Sequence, residues 1–205
     1  MGCFGTGCFV LYLSGKRRAD MPYIATPNGG ESPAAGQIWA ADSGRFASPH
    51  RYSDERYLAW LAWRAHLAAD CLFATAPDVV GNATATLALS APMFARIRDL
   101  GYRVAFVAQD GWPGIDVPWD DFDALFLGGT TAWKLGHEAA DAAAEARARG
   151  KWVHMGRVNS LRRLRMADAI GCDSADGTVL RFDQTRPIHE WVDAIHARPS
   201  LWRTA

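Results

Sequence analysis

Short apolar runs that end in small or polar residues recur along the chain, and most are separated by segments with helical periodicity. Residues 54–69, 88–101, 131–150 and 161–171 carry apolar or alanine-rich patterns at helical spacing. Five strong and two weaker strand-like runs are, in order, PYIATPNGG, QIWAADSG, CLFATAPDVVG, RVAFVAQDG, ALFLGG, KWVHMGRVNS and AIGCDSADGT. Because the runs are apolar throughout rather than alternating, the pattern predicts parallel strands covered on both faces.

Strands that alternate with helices at a spacing of roughly 20 to 30 residues indicate parallel β/α units. Two architectures fit this order, a TIM-like (β/α)8 barrel and an open doubly wound sheet. No glycine-rich phosphate loop follows the first strand, so we expect the α/β barrel. An eighth strand is not evident after VLRFDQ at 179–184, and residues 185–202 have the pattern of a final helix. A barrel reduced or incomplete at its last strand therefore also fits.

The length and composition indicate a single globular domain. The chain has 205 residues, 49% of them hydrophobic, which is enough for a sizeable core. The apolar stretch near the start is followed by Lys16, Arg17 and Arg18. We interpret residues 1–20 as a poorly ordered extension and place the domain at 21–205.

Charge and cysteine usage exclude several classes of protein. The 22 basic and 22 acidic residues cancel, which argues against non-specific coating of a polyanion but allows a local basic face. The four cysteines lack Cys-x-x-Cys spacing, which predicts free thiols in a reducing, cytoplasmic compartment. No stretch is apolar for long enough to span a membrane. The six histidines show no ligand spacing, so no metal site is expected, and His154 has the pattern of a core histidine.

Polar residues and glycines cluster where the predicted strands end. In a barrel, these ends converge at one mouth, which is where active sites form. A single Asp at such a junction is equally well explained as a helix N-cap, but the joint pattern favours a site. The residues at the strand ends are Asp42, Asp78, Gln109, Asp110, Gly128, Gly129, Met155 to Asn159, Asp173 and Asp176.

Six of these strand-end motifs carry a family resemblance. ADSGRF, APDVVG, VAQDG, LFLGG, HMGRVN and GCDSADG occur in order over about residues 21–180. They resemble the tRNA-guanine transglycosylase superfamily, and most closely its small phage-associated branch, which places 7-deazaguanines in DNA. The resemblance implies a barrel enzyme that exchanges guanine for another base and needs no cofactor.

The resemblance also implies roles for individual residues. Asp42 would be the general acid and base, and Asp176 the nucleophile that forms a covalent glycosyl-enzyme. Phe46 would stack on the base, and Asp78 and Gln109 would bind its Watson–Crick edge. Other members of the expected substrate site are Ser43, Gly44, Gly128, Gly129, Met155, Gly156 and Asp173, with Met155 and Gly156 forming the second wall of the base slot. For Asp173, a structural carboxylate is an equally good interpretation.

Departures from the family pattern bear on the polymer that is bound. DSGRFA places Arg45 where the family has glycine and Ala47 where it has glutamine, and residues after 180 contain no cysteine for the family's zinc site. The Arg45 and Ala47 changes bear on base recognition, whereas the lack of the zinc site and of an appended RNA-binding domain favours DNA over tRNA. Arg45, Arg157, Arg162 and Arg163 are candidates for phosphate contacts, although the run SLRRLR also fits a solvated helix face.

The leading expectation is therefore a DNA transglycosylase that inserts a base such as 7-cyano-7-deazaguanine. The alternatives are a tRNA-guanine transglycosylase, a catalytically silent barrel that binds nucleic acid, and an N-glycosidase that uses water. A homodimer or a helper protein is an expected partner because a small neutral barrel offers little surface for reading DNA. The expected location is the cytoplasm, which is that of the bacterial host if a phage encodes the chain.

Overall fold

Eight parallel strands close into a barrel in sequence order, which confirms the predicted TIM-like α/β architecture. A computed structural model describes residues 11–179 together with 190, 191 and 193. The barrel is complete, so the expected reduction at the last strand is wrong. The strands are β1 Leu11–Ser14, β2 Tyr23–Ala25, β3 Trp39–Ala41, β4 Cys71–Thr75, β5 Val104–Ala108, β6 Ala124–Leu127, β7 Trp152–Met155 and β8 Ser174–Gly177.

The strand that closes the barrel lies in the segment that we assigned to an extension. β1 pairs with β2 on one side and with β8 on the other, in the register Leu11↔Ser174 through Ser14↔Gly177. Leu13 is fully buried, because its side chain points into the barrel interior. The barrel therefore includes residues 11–14, which lie before the predicted domain start at residue 21.

Helices cover the outside of the barrel between most of the later strands. They are α1 Asp54–Trp63, α2 Ala83–Arg98, α3 Thr131–Lys134, α4 His137–Ala148 and α5 Leu161–Ala169. The four predicted helical segments are confirmed, although α2 begins five residues earlier than predicted and residues 131–150 form two helices. The predicted final helix at 185–202 lies largely outside the described residues.

Four of the five helices given above begin at polar residues that are not the strand-end aspartates, and α4 begins after Gly136. Side chains of Ser53, Asn82, Thr130 and Ser160 accept hydrogen bonds from backbone N–H groups in the first turns of α1, α2, α3 and α5. The N-cap interpretation is therefore wrong for the aspartates, which are left for other contacts. Within the described residues, none of the helices has both the length and the apolar character needed to cross a bilayer.

The core has two layers on opposite faces of the strands. One cluster is made only of strand residues and their neighbours, including Leu13, Phe73, Val107 and Phe126, and fills the barrel interior. The second cluster lies between the outer faces of the strands and the surrounding helices, and Met155 belongs to it. Because side chains alternate between the two faces of a strand, register decides which residues of β7 and β8 reach the interior.

Candidate active site

The carboxyl ends of the strands surround a cavity of about 60 Å³ at one end of the barrel. Six of the residues expected at the site line it, together with four that were not expected. The lining residues are Asp42, Phe46, Thr75, Asp78, Val80, Val107, Phe126, Gly128, Arg157 and Asp176. The two predicted catalytic carboxyl groups, 134 residues apart in the chain, therefore border the same space.

Asp42 follows β3 directly, and its carboxyl group is held by the turn that comes next. The N–H of Gly44 donates to Oδ1 at 2.8 Å, and Gly44 has a φ of +72°, which a residue with a side chain rarely adopts. Burial raises the pKa of Asp42 to about 7, and the nearby charges of Asp78 and Asp176 act in the same direction. Asp42 can therefore exchange a proton near neutral pH.

Asp176 lies in β8, and only 8% of its surface is exposed. Its Oδ1 lies 3.0 Å from Nε2 of His154, which is fully buried. Ser174 and Asp176, two residues apart, both point into the barrel, where they contact the same imidazole. The predicted core histidine thus contacts the proposed nucleophile, a contact that the sequence pattern did not reveal.

Ser43 and Gln109 make hydrogen bonds to residues that line the cavity. The backbone N–H of Ser43 donates to Oγ1 of Thr75 at 2.9 Å, which joins the ends of β3 and β4. Gln109 is fully buried, donates from Nε2 to Oδ2 of Asp78 at 2.7 Å, and accepts from the N–H of Gly81. Gln109 is not among the lining residues. In this structure it orients Asp78 instead of bordering the expected base slot.

Two arginines donate hydrogen bonds to the backbone carbonyls of residues that line or adjoin the cavity, and one of them, Arg157, also lines it. Arg45 donates to the backbone carbonyl of Asp78, and Arg157 donates to the carbonyls of Gly128 and Gly129. The guanidinium carbon of Arg157 lies 4.9 Å from the centre of the Phe46 ring, a cation–π contact. Phe46 is 55% exposed. The Phe46 ring lines the cavity, and Arg157 covers part of it and narrows the cavity.

Close packing explains the glycines at the ends of β6 and β7. A Cβ atom on Gly128 would lie 2.4 Å from Cγ1 of Val107, and one on Gly156 would lie 2.5 Å from Cε1 of Phe126. A Cβ on Gly129 would lie equally close to the ring of Trp133. These glycines therefore let neighbouring side chains approach the backbone, and only Gly128 also lines the cavity.

Met155 does not form a wall of the cavity. It is buried in the outer layer between the barrel and the helices, since its neighbour His154 takes the inward position on β7. The ring of Phe126 from β6 lies on the cavity instead. The prediction for Met155 is wrong because a motif gives the end of a strand, whereas the register decides which face each residue occupies.

Asp173 is a structural residue rather than a substrate contact. Its Oδ2 accepts from the N–H of Val153 at 2.8 Å, and its Oδ1 lies 3.7 Å from Arg147. Asp173 precedes β8, at the amino end of the strand, whereas Asp176 is near the carboxyl end. Three residues of strand span about 10 Å and reverse the side-chain face. The two aspartates of GCDSADG therefore lie toward opposite ends of β8 and point to different faces of the strand.

Basic side chains gather beside the cavity around residues 156 and 157. Lys134, which sequence analysis did not select, is 3% exposed and donates from Nζ to the Gly156 carbonyl. Arg163 donates to the Arg157 carbonyl at 3.2 Å, and Arg162 is exposed. Among the described residues, Lys134, Arg157 and Arg163 form no ion pair. Burial lowers the pKa of Lys134 to about 7, and the charge of Arg157 acts in the same direction.

Other side chains of the expected chemistry have structural positions. Trp112 and Trp133 are buried and belong to the hydrophobic core. Cys71 and Cys172 are free and buried thiols, as predicted. Within the described part of the chain, His, Cys, Asp and Glu side chains do not form a cluster that could hold a metal ion.

No protein-family model matches the chain, and no curated protein matches it either. The strand-end motifs and the geometry of the cavity therefore carry the functional argument.

Proposed function

We propose that this barrel is a transglycosylase that exchanges guanine in DNA for a 7-deazaguanine base. The observation that carries the proposal is the convergence of Asp42 and Asp176 on one cavity that also contains Phe46 and Asp78. The raised pKa of Asp42 supports different protonation roles for the two carboxyl groups. The resemblance of the strand-end motifs supplies the reaction class.

In the first half of the reaction, the bond between the sugar C1′ and the base breaks as a bond from C1′ to Asp176 forms. Asp42 gives its proton to the departing guanine and becomes ionised. A carboxylate suits the role of Asp176 because it stabilises the positive charge that develops on the sugar and then bonds to C1′. The products are free guanine and a covalent glycosyl-enzyme.

In the second half, a 7-deazaguanine enters the cavity and its nitrogen attacks C1′. Asp42 accepts the proton that the incoming base loses, and Asp176 leaves as a carboxylate. The enzyme returns to its starting state, so the exchange consumes no cofactor. Asp78, whose Oδ2 accepts from Gln109, would accept hydrogen bonds from the amino and imino groups of either base.

The entry of a base requires Arg157 to move away from Phe46, because the present cavity is far smaller than the roughly 300 Å³ or more of ordinary ligand pockets. A guanidinium released from the Gly128 and Gly129 carbonyls would be free to bind a phosphate of the target strand. The target base must also leave its stack to reach the cavity. Arg157 and Arg163 supply positive charge beside that path.

Incorporation of labelled guanine tests the proposal and the choice of polymer. Purified protein is incubated with labelled guanine and with either DNA or unmodified tRNA, and label in the polymer is measured. We expect label in DNA for the wild type, none for Asp176→Ala, and wild-type incorporation for Asp120→Ala, a control at an exposed carboxylate. Label in tRNA alone would mean that the same exchange reaction acts on tRNA and not on DNA.

The remaining alternatives give different products. An N-glycosidase would leave abasic sites when no 7-deazaguanine is supplied, and quantifying aldehyde-reactive sites in DNA detects them. A catalytically silent barrel would retain nucleic acid but incorporate no label into either polymer. Either result would overturn the proposed exchange reaction.

A further inference from the structure

The imidazole of His154 lies inside the barrel in an aromatic setting that fixes its plane. Its ring centre is 4.5 Å from that of Phe126 and 5.1 Å from that of Phe73, and the side chain has no exposed surface. Both ring nitrogens nevertheless have polar partners. Nδ1 lies 2.7 Å from Oγ of Ser174, and Nε2 lies 3.0 Å from Oδ1 of Asp176.

As a carboxylate, Asp176 can only accept hydrogen bonds, so Nε2 of His154 carries a hydrogen and donates it to Oδ1. The indole Nε1 of Trp152 can only donate, and it donates to Oγ of Ser174 at 2.8 Å. In the neutral imidazole, Nδ1 is then an acceptor, and the hydroxyl of Ser174, whose Oγ already accepts from Trp152, donates to it. Trp152, Ser174, His154 and Asp176 thus form one directed chain of hydrogen bonds.

We propose that His154 is the positioning residue for the nucleophile. It holds Oδ1 of Asp176, and within the described residues Oδ2 accepts no hydrogen bond and is left for attack on the sugar. The inference deepens the proposed transglycosylase function and rests on it. In the glycosyl-enzyme, the same Nε2–H would bond the carbonyl oxygen of the ester and stabilise the carboxylate as it leaves. His154 would thereby assist both halves of the exchange.

The position of Gly156 supports a carboxyl group that is held in one place. A Cβ at this residue would lie 3.3 Å from Oδ1 of Asp176 and 2.5 Å from the Phe126 ring, which itself packs on His154. The backbone therefore closes one side of Oδ1, while the imidazole fills another. Little room remains for the carboxyl group to rotate unless one of these neighbours moves.

Replacement of His154 by Gln and by Phe separates positioning from packing. His154→Gln keeps an N–H that reaches Asp176, whereas His154→Phe fills the space without a donor. Loss of one hydrogen bond to a charged group corresponds to roughly a 10- to 100-fold loss. We expect such a fall in the single-turnover rate of glycosyl-enzyme formation for the Phe variant only, with an unchanged KM for the incoming base. Ile97→Ala, which disturbs packing in the outer layer between the barrel and the helices, is the control and keeps the rate.

Equal rates for the Gln and Phe variants would overturn the proposal, as would rate losses that simply follow the lowering of Tm in all three variants.

Nitrogen-15 NMR of the wild-type histidines gives a readout that needs no activity. We expect a hydrogen on Nε2 of His154 whose resonance shifts in Asp176→Ala. A hydrogen on Nδ1 instead would overturn the assigned contact even if the protein is active. A wild type that shows the Nε2 hydrogen but forms no glycosyl-enzyme with DNA or tRNA would reject the proposed function rather than the contact.

Discussion

At the scale of single residues, the aspartates of this chain differ because of their surroundings rather than their sequence motifs. Burial of the Asp42 carboxyl group raises its pKa to about 7, and the nearby charges of Asp78 and Asp176 act in the same direction. Asp173 accepts a backbone N–H and faces Arg147, and so has a structural role. The sequence predicted which aspartates lie at strand ends, but the environment that gives each its chemistry is built by residues distant in the chain.

The raised pKa of Asp42 predicts a pH-dependent effect of Asp42→Asn on stability. The folded protein holds a proton on Asp42 up to about pH 7, whereas an unfolded aspartate releases it near pH 4. The free energy of unfolding of the wild type therefore falls as pH rises through this window. We expect Asp42→Asn to match the wild type near pH 4 and to be more stable by roughly 2–4 kcal/mol at pH 8.

Urea denaturation at a series of pH values measures this difference, with Asp120→Asn, an exposed carboxylate, as the control. The side-chain oxygen of the Asp42→Asn variant can still accept the hydrogen bond from the N–H of Gly44. The difference in stability between the variant and the wild type therefore reports the effect of the charge. A difference that does not change with pH, or one that the control shows equally, would be inconsistent with a buried carboxyl group at Asp42.

At the scale of strands and helices, the order of the elements could be predicted, but the direction of individual side chains could not. Seven of the eight strands come from apolar runs that the sequence shows plainly. Met155 and His154 are neighbours on β7, yet one packs against the helices and the other faces Asp176. Only the pairing register resolves this choice, because both residues are compatible with a strand buried on both faces.

Close packing between β6 and β7 predicts that Gly156→Ala destabilises the barrel. The added methyl group would lie 2.5 Å from the Phe126 ring, so the ring or the backbone must move. Overpacking of this kind costs about 1–3 kcal/mol. Gly114→Ala is the matched control because a Cβ at Gly114 meets no atom within 4 Å.

The free energy of unfolding from chemical denaturation compares the two variants. We expect a clear loss for Gly156→Ala and a change within about 0.5 kcal/mol for Gly114→Ala. Equal stability of the two would mean that Phe126 has room to shift, and that the wall of the cavity is less tightly packed than its distances indicate.

At the scale of the whole molecule, barrel closure depends on a segment that looks peripheral in the sequence. β1 is short, stands before a basic stretch, and pairs with a strand more than 160 residues later. The sequence pattern shows local periodicity, whereas closure of the barrel requires that the first and last strands pair with each other. That long-range pairing also fixes Asp176, since Leu13 is its partner in register.

The participation of β1 predicts that Leu13→Ala strongly destabilises the protein. Leu13 is fully buried in the barrel interior, and removing a buried leucine side chain costs about 2–5 kcal/mol. Lys16→Ala, at an exposed position three residues later, is expected to change the free energy of unfolding by less than about 0.5 kcal/mol. Thermal and urea unfolding of both variants check this, and equal stability would restore residues 1–20 as an extension outside the domain.

The covalent intermediate is the most direct test of the central claim that Asp176 attacks the sugar while Asp42 serves the base. Protein incubated with DNA in the absence of 7-deazaguanine is denatured rapidly, digested and mapped by mass spectrometry. We predict a nucleic-acid adduct on Asp176 that disappears when excess 7-deazaguanine is added and that Asp176→Ala never forms. An adduct on another residue, or base exchange by the Asp176→Ala variant, would contradict the account.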